Sequence, residues 1–279
     1  MRRSLLFIPA NNPAMLQNAE VFESDAVIFD LEDAVSPTEK DSARQLLSCF
    51  LEANPKLPCE VIVRINGMDT DSYQQDLEKI LSNKIDAIML PKARVQDLKK
   101  LNKILDNYDF DIAIVPIIEL AISLLEVNEI AAERRVNGIL LGAEDLTSDL
   151  EVERTKAGDE IFYARSKVAL ACSAYKIDAI DTPFTDVTDN VGLAKDIQTA
   201  KTLAMKAKAA IHPNQIELIN ELFAPSQKLI EWATRVLIAK DEALKNGIGV
   251  FSLDGKMVDK PVYERAIKII EKAKKFKVI

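Results

Sequence analysis

Eight apolar segments alternate with helical segments along the 279-residue chain, and this alternation predicts an α/β protein, a TIM (β/α)8 barrel with a C-terminal helical extension. The strand segments are apolar almost throughout, which is typical of parallel strands buried on both faces. No glycine-rich turn follows the first strand, and the chain holds only 8 glycines, so a dinucleotide-binding fold is disfavoured. We expect the barrel to span residues 1–225 and the extension to span residues 226–279.

The predicted strands lie between segments in which apolar residues have helical spacing. In chain order the strands are Ser4–Pro9, Ala26–Phe29, Val61–Ile65, Ala87–Leu90, residues 112–118, residues 136–141, Ala179–Phe184 and Lys208–Ile211. The clearest helix has apolar residues at i, i+3, i+4, i+7 and i+8 from Ala43 to Leu51, and the preceding Ser36–Glu39 has the form of a capping box. An amphipathic segment, Leu120–Glu133, joins the fifth and sixth strands, which predicts that these two strands are parallel.

The C-terminal extension is predicted to consist of a helix, a loop and a helix. The first helix covers about Gln227–Lys245, and the second begins at Val262. The segment between them, Gly249–Pro261, has little regular periodicity and is predicted to be an irregular, turn-like loop.

Composition argues against several classes of function. The 44 acidic residues outnumber the 36 basic ones, and a formal charge of −8 disfavours a nucleic-acid or anionic-membrane partner. No apolar run is long enough to cross a bilayer and the N-terminus has no signal-peptide pattern, so we expect a cytoplasmic protein. Cys49, Cys59 and Cys172 lack metal-ligand spacing and are then free thiols in a reducing compartment. With one histidine, a zinc site built on imidazoles is disfavoured, and a serine–histidine triad would need His212 as its base.

Two acidic residues follow neighbouring predicted strands, Glu119 directly after the fifth and Asp145 four residues after the sixth. Parallel strands place their carboxyl ends at the same edge of a sheet, where two carboxylates repel each other unless a cation lies between them. Hard oxygen ligands suit Mg²⁺, so the pair predicts a magnesium site. Either residue alone could instead cap a helix or pair with a base. The prediction therefore depends on the other polar residues at the same edge.

Four more charged residues share this edge of the predicted barrel. Glu32 and Asp33 follow the second strand, Arg64 ends the third, and Lys92 follows the fourth. The active site of a TIM barrel lies at the carboxyl ends of its strands, and stability alone would not require so many charges there. A divalent ion at this place could polarise a carbonyl oxygen and stabilise a developing enolate.

The same edge offers groups that could bind an anionic substrate. An arginine within an apolar strand needs a partner, and the planar fork of Arg64 matches a carboxylate. Lys92 is a second positive charge at the edge. The Gly142-Ala143 turn is expected to expose backbone N–H groups that could bind a carboxylate as well. These four residues are the predicted substrate-binding group.

Five motifs resemble those of the citrate lyase beta-subunit family, part of the wider group of aldolase and malyl- or citramalyl-CoA lyase barrels. In chain order they are Arg3–Pro9 (RSLLFIP), Phe29–Val35 (FDLEDAV), Val63–Asn66 (VRIN), Leu90–Lys92 (LPK) and Ile211–Gln215 (IHPNQ). The resemblance spans nearly the whole chain. It implies a Mg²⁺-dependent barrel that cleaves a 3-hydroxy acyl thioester, either acyl-CoA or acyl-carrier, into a keto acid and an acetyl thioester.

The resemblance also implies roles for single residues. Glu119 and Asp145 match the family's metal ligands, and Arg64 matches the residue that binds the keto-acid part. Glu32 and Asp33 match acids that hold metal-bound waters.

The C-terminal segment resembles a further family motif. In Asp254–Pro261 (DGKMVDKP), Asp259 matches an aspartate that acts as an acid/base. In relatives this segment reaches into a neighbouring subunit's site, which implies a homo-oligomer, often a trimer. The extension would then pack on a neighbouring subunit.

The chain departs from the family's pattern at one place. The family often has a glycine-containing turn before a lysine near the eighth strand, whereas Ala204–Lys208 (AMKAK) has no glycine, which weakens the expectation of a CoA or carrier-phosphate contact there. The IHPNQ motif and the acidic turn of residues 142–145 (GAED) favour a free-standing CoA-thioester lyase over a subunit of a citrate lyase complex. Citryl, citramalyl and malyl substrates remain open.

Two alternatives belong to other functional classes. A pyruvate-type class II aldolase could use the same metal site, but such enzymes rely on an early histidine and none precedes residue 212. A non-catalytic barrel could serve as a scaffold in a lyase complex, but the presence of Arg64, Glu119 and Asp145 argues against a decayed site.

Overall fold

Eight parallel strands close into a barrel in the computed structural model, which describes residues 1–81, 85–108, 111–245 and 250–279. The strands are β1 (Ser4–Pro9), β2 (Ala26–Asp30), β3 (Glu60–Arg64), β4 (Ala87–Leu90), β5 (Ala113–Ile118), β6 (Gly138–Leu141), β7 (Asp178–Asp181) and β8 (Ala207–Ala210). Each strand pairs with the next one in the chain, and β1 also pairs with β8, which closes the barrel. The predicted TIM barrel is confirmed.

Helices alternate with the strands. The α-helices up to the end of the barrel are α1 (Pro13–Gln17), α2 (Lys40–Ala53), α3 (Ser72–Ile80), α4 (Val95–Leu105), α5 (Ala121–Leu125), α6 (Val127–Ala132), α7 (Ala143–Asp149), α8 (Phe162–Tyr175), α9 (Asn190–Thr202) and α10 (Ile216–Phe223). Short 3-10 helices cover Ala19–Phe22, Pro37–Glu39, Asp159–Ile161 and Pro213–Gln215. No helix in the described ranges has the length and apolar character that spanning a membrane requires.

Apolar side chains from all eight strands fill the interior of the barrel. One buried member from each strand is Leu5, Ile28, Ile62, Met89, Val115, Leu140, Ile180 and Ala209. Burying a large aliphatic side chain contributes about 1.5–3 kcal/mol relative to leaving it exposed. Because side chains alternate along a strand, Lys208, which lies between two interior alanines of β8, is on the side facing the helices.

The pairing of β2 with β3 brings two charged residues together. Asp30, the last residue of β2, lies opposite Arg64, the last residue of β3. Both are therefore at the carboxyl ends of the strands, where the βα loops of a TIM barrel gather.

The predicted parallel pairing of β5 with β6 is confirmed. The segment between them, Leu120–Glu133, forms two short helices, α5 and α6, which meet at Glu126, a residue whose carboxylate binds the Arg94 guanidinium at 2.6 and 2.9 Å. Ser36 occupies the N-cap position of the 3-10 helix Pro37–Glu39, but the predicted capping box is wrong, because the Ser36 hydroxyl makes no capping bond and donates instead to the Glu39 carboxylate at 3.1 Å.

A second compact unit covers Glu221–Ile279, after the unit Met1–Asn220, and α10 spans the boundary between them. It contains α11 (Gln227–Lys245), the antiparallel strands β9 (Phe251–Leu253) and β10 (Lys256–Val258), and α12 (Lys260–Lys275). Its own apolar cluster is formed by Ala233, Val236, Val258, Ala266 and Ile269.

The hairpin formed by β9 and β10 lies in the segment predicted to be an irregular loop, so that prediction is wrong. Asp254 and Gly255 form the turn, with φ angles of 53° and 73°. Both angles are positive, as the favoured two-residue hairpin turn requires, and Asp-Gly is a preferred sequence for it. Gly249, the start of the predicted loop, lies outside the described residues.

Candidate active site

A cavity of about 450 Å³ lies at the carboxyl ends of the barrel strands. Six predicted site residues line it: Asp33, Arg64, Glu119, Gly142, Ala143 and Asp145. Two more contact lining residues, because Glu32 forms an ion pair with Arg64 and the Lys92 N–H bonds to Glu119. The structure thus brings together all the predicted site residues of the barrel. The remaining one, Asp259, belongs to the second unit.

Arg64 is held in place by Asp30, which was not among the predicted site residues. Its Nε and Nη2 donate to the two oxygens of the Asp30 carboxylate at 2.7 and 2.6 Å. The same oxygens accept the backbone N–H groups of Glu32 at 2.9 Å and Ala34 at 3.1 Å. Asp30 is 1% exposed, and four donors compensate its burial. This carboxylate therefore fixes both the arginine and the loop that carries Glu32 and Asp33.

The remaining nitrogen of Arg64, Nη1, is directed to the acidic loop. It lies 3.0 Å from Glu32 Oε2 and 3.8 Å from Asp33 Oδ2. Burial lowers the pKa of Arg64, but the hydrogen bond and charge of Asp30 and the charge of Glu32 outweigh this and raise the pKa above its ordinary value. The guanidinium carbon also lies 4.9 Å from the centre of the Phe7 ring. Arg64 is thus a permanently charged group in a fixed orientation.

Glu32 is a buried carboxyl group whose surroundings disfavour its charged form. Burial raises its pKa to about 7, with Arg64 acting in the opposite direction and Asp33 and Asp30 adding to the rise. Its Oε2 has an ion-pair distance to Arg64 but no hydrogen-bond partner among the described residues.

Glu119 is the buried acid at the end of β5, with 3% of its surface exposed. Burial and the negative charge of Glu32 raise its pKa to about 8; the charge of Asp145 adds to this, and the Lys92 N–H, which donates to Oε1 at 2.6 Å, opposes it. Glycine is required opposite it, since a Cβ at Gly142 would lie 2.7 Å from Glu119 Oε2.

The backbone N–H of Lys92 donates a hydrogen bond to Glu119. Its φ angle of 48° is in the left-handed region, and this turn directs its N–H at the Glu119 carboxylate. Burial lowers the pKa of the Lys92 side chain, but the charges of Glu32, Glu119 and Asp145 outweigh it and raise the pKa. The ammonium group therefore stays charged beside the acidic residues.

The Gly142-Ala143 turn differs from the prediction. The N–H of Gly142 donates to the Ile118 carbonyl at 3.0 Å and extends the pairing of β5 with β6. The N–H of Ala143 donates to the Thr182 hydroxyl at 3.3 Å. Both donors are already bonded within the chain, so the expectation that the turn exposes them is wrong.

Glu119 and Asp145 fit a magnesium ion. No group of three or more His, Cys, Asp or Glu side chains in the described part of the chain is arranged to hold a metal. Mg²⁺ does not need such a group, since it is usually bound by one or two carboxylates together with waters and substrate oxygens. Burial and the nearby charges of Glu32 and Asp145 disfavour the charged form of Glu119, and a cation bound beside its carboxylate would favour that form.

Two further candidates from the sequence have local polar partners. Asp259 is the N-cap of α12, and its carboxylate accepts the Val262 N–H at 3.3 Å. Its catalytic role stays a prediction. His212 is exposed, and its Nδ1 lies 2.7 Å from Asn214 Oδ1.

Residues 3–213 match the family described as HpcH/HpaI aldolase/citrate lyase. The chain belongs to this family. It is 38% identical over 282 residues to the citrate lyase subunit beta of Leuconostoc mesenteroides subsp. cremoris, covering 98% of this chain and 93% of that protein. It is also 35% identical over 258 residues to a (3S)-malyl-CoA thioesterase of Cereibacter sphaeroides (strain ATCC 17023), covering 92% and 89%.

A solved structure agrees with the membership. CitE from Mycobacterium tuberculosis, in complex with magnesium, acetoacetate and coenzyme A, has a TM-score of 0.82 to this chain at 31% identity, covering 97% of each chain. The resemblance read from the five motifs is confirmed. At the glycine-free stretch, Ala204 has a φ angle of 71°, which is in the left-handed region that favours glycine.

Four buried charges beside the cavity were not predicted. Arg165 of α8 donates to Asp181 of β7 at 2.8 and 3.0 Å and to Asp196 of α9 at 2.6 Å. Lys208 Nζ donates to the same two aspartates at 2.6 and 2.5 Å and to the Thr182 carbonyl at 2.7 Å. Two positive and two negative groups balance, so each buried charge has a partner. The sequence signal that could have indicated this cluster was the presence of Asp181 and Lys208 in two predicted apolar strands.

Proposed function

We propose that the protein is a Mg²⁺-dependent carbon–carbon lyase that cleaves a 3-hydroxyacyl thioester into a 2-keto acid and an acetyl thioester. The observation that carries the proposal is the pair Glu119 and Asp145, which line one cavity with the charged, fixed Arg64. Family membership supports the lyase class. The related citrate lyase subunit beta, and the related structure with magnesium, acetoacetate and coenzyme A, support the metal and the thioester.

The proposed reaction breaks the bond between carbons 2 and 3 of the acyl chain. A base takes the proton of the hydroxyl on carbon 3, and that oxygen becomes the carbonyl oxygen of the keto acid. The electron pair of the broken bond forms the enolate of the acetyl thioester, which a proton donor then converts to the acetyl group. Bound Mg²⁺ would supply a Lewis acid for the oxygens of the keto-acid half, held by Glu119 and Asp145.

Arg64 is assigned to the carboxylate of the keto acid. Asp30 occupies its Nε and Nη2, and Nη1 lies 3.0 Å from Glu32 Oε2, so a substrate carboxylate would share Nη1 with Glu32. Lys92 adds positive charge at this edge, and Glu32 and Asp33 would hold waters around the ion. Charges that are already in place before the reaction are usually the largest contribution to stabilising a charged transition state.

Asp259 is assigned as the acid that protonates the enolate, contributed by a neighbouring copy of the chain in a homo-oligomer, which we propose to be a trimer. Support comes from the family motif around it. Its cap to Val262 competes with this role, since the same carboxylate oxygens would be needed. A free-standing cytoplasmic enzyme acting on acyl-CoA is favoured over an acyl-carrier enzyme working with citrate lyase complex subunits.

The test is a panel of citryl-, citramalyl- and malyl-CoA, each assayed for keto acid and for acetyl thioester with Mg²⁺ and with EDTA. We expect at least one substrate to be cleaved with Mg²⁺ and none with EDTA, with activity restored by added Mg²⁺. Equal rates with and without EDTA, or no turnover of any substrate, would count against the proposal, and the latter outcome would favour a scaffold role.

Matched variants connect the activity to the site. Glu119→Gln and Asp145→Asn remove a ligand charge at almost constant volume, so Mg²⁺ affinity and turnover should fall while the fold is kept. Glu129→Gln makes the same change at an exposed position of α6 and should leave both unchanged. Unchanged calorimetric Mg²⁺ binding in both site variants would show that the ligands are wrongly assigned.

A second candidate reaction is hydrolysis of the thioester itself, which the relationship to a (3S)-malyl-CoA thioesterase favours. The products separate the two reactions. Cleavage of the carbon–carbon bond gives a keto acid and an intact acetyl thioester, whereas hydrolysis gives a free thiol and a hydroxy acid. Pyruvate with simple aldehydes completes the panel and tests the aldolase alternative.

A further inference from the structure

Thr182, directly after β7, is a buried residue of the cavity wall with an unused donor. It is 1% exposed and lines the same cavity as Glu119 and Asp145. Its hydroxyl oxygen accepts the Ala143 N–H at 3.3 Å. A hydroxyl has one proton to donate, and no acceptor for that proton is found among residues 1–81, 85–108, 111–245 and 250–279. Buried donors rarely stay unsatisfied, so this proton is available to a molecule in the cavity.

The backbone of Thr182 is also held in place. Its carbonyl accepts Lys208 Nζ at 2.7 Å, and that ammonium is held in turn by Asp181 and Asp196 at 2.6 and 2.5 Å. The side chain is anchored on one side by Ala143 and the backbone on the other side by a buried ion network. A donor held in this way needs no rearrangement to meet a ligand.

We propose that Thr182 is a substrate-binding residue whose hydroxyl donates a hydrogen bond to an oxygen of the 2-keto-acid half of the substrate. The inference rests on the proposed function, which places this half of the substrate against Glu119, Asp145 and Arg64. The Ala143 N–H, expected from sequence to bind a carboxylate, acts through the Thr182 hydroxyl. A hydroxyl that accepts from an N–H group is polarised and becomes a better donor. Lys208 is a positioning residue for this contact.

Thr182→Val and Thr182→Ser test the contact, because valine keeps the shape and removes the hydroxyl, whereas serine keeps the hydroxyl. Calorimetry with pyruvate, glyoxylate and oxaloacetate at saturating Mg²⁺ measures keto-acid affinity. A hydrogen bond to a charged group predicts a loss of about 10-fold or more for valine. Serine should stay within about threefold of the wild-type protein, and Mg²⁺ affinity should be unchanged in both.

Thr147→Val is the matched control. The Thr147 hydroxyl is buried near the same turn and donates to the carbonyls of Ala143 and Glu144 at 2.9 and 3.0 Å, but it does not line the cavity. Its loss should lower the unfolding temperature and leave keto-acid affinity unchanged. If Thr182→Val does not fold, Thr182→Ala compared with Thr182→Ser makes the same contrast.

The possible results separate the two levels of inference. Equal keto-acid affinity in the valine and serine variants would overturn the role of Thr182. A parallel loss of Mg²⁺ and keto-acid binding would also overturn it, because it would show a structural role. A wild-type protein that binds no keto acid with Mg²⁺ would overturn the proposed function and this inference with it.

Discussion

Gly142 is the position at which one added methyl group tests the geometry of the candidate metal site. Its φ angle of −90° is accessible to any residue, so Gly142→Ala acts through packing alone. The new Cβ would lie 2.7 Å from Glu119 Oε2, 2.8 Å from Glu119 Cβ and 2.9 Å from Ile117 Cγ2. Restoring the second contact to about 3.4 Å, where ordinary contact begins, requires a retreat of about 0.6 Å by Glu119.

The magnitude follows from this displacement. Overpacking of a buried site typically costs about 1–3 kcal/mol of stability. Metal–ligand distances are held within about 0.2 Å, so a ligand displaced by three times that amount should lower Mg²⁺ affinity about tenfold or more. Thermal unfolding without metal and calorimetric titration with Mg²⁺ measure the two effects separately.

Gly255→Ala is the control for the loss of stability. A Cβ at Gly255 meets nothing within 4 Å, but its φ angle of 73° strains any other residue, at about 1–2 kcal/mol. The two variants should therefore lose similar stability, and only Gly142→Ala should lose Mg²⁺ affinity. Wild-type Mg²⁺ affinity in Gly142→Ala would refute the placement of the ion beside Glu119.

Three further substitutions test other parts of the structure. Arg64→Lys keeps the charge but cannot form the two parallel bonds to Asp30, so turnover should fall at least tenfold, about 1.4 kcal/mol; wild-type efficiency on every thioester would remove Arg64 from the site. Asp259→Asn should lower cleavage about 10²–10⁴-fold while metal and keto-acid binding persist, and mixing it with Arg64→Ala should restore part of the activity. A monomer in solution, or no rescue from subunits shown to have exchanged, would leave Asp259 as a helix cap worth about 1 kcal/mol. Lys208→Met removes one of the two positive charges that pair with Asp181 and Asp196. The free energy of unfolding, measured by chemical denaturation, should fall by about 3–5 kcal/mol, and a fall below about 1 kcal/mol would contradict the buried network.

Much of the barrel could be predicted because its strands are continuous apolar segments. The predicted Ser4–Pro9 and Ala87–Leu90 match β1 and β4 as they stand, and the eighth strand is displaced by one residue. Strand ends are harder, since a strand buried on both faces shows no change of pattern where its pairing stops. The hairpin of the second unit was missed because strands of three residues are too short to show alternation, although its Asp254-Gly255 turn was a usable signal.

The site was predictable where it depended on chain position and unpredictable where it depended on long-range contacts. Arg64, Glu119 and Asp145 are found by asking which charges lie at the end of a strand or within four residues after it. The role of Asp30 depends on the register of β2 against β3, which no local pattern contains. In the same way, the bond from Ala143 to Thr182 joins residues 39 positions apart. Sequence periodicity identifies which side chains reach the edge of the barrel, but not which of them are already bonded to each other.

Closure of the barrel by β1 and β8 has a kinetic consequence. Leu5 pairs with Ala26 on one side and with Ala209 on the other, so the second pairing closes a loop almost ten times longer. Loop-closure entropy grows as (3/2)RT ln n, which makes the second pairing about 2 kcal/mol more costly in chain entropy. We expect β8 to join last in refolding, and pulse-labelled hydrogen exchange should protect its amides after those of β3; simultaneous protection would show concerted closure. Because Lys208 on β8 also holds the Thr182 carbonyl, the wall of the cavity is completed only when the two ends of the barrel meet.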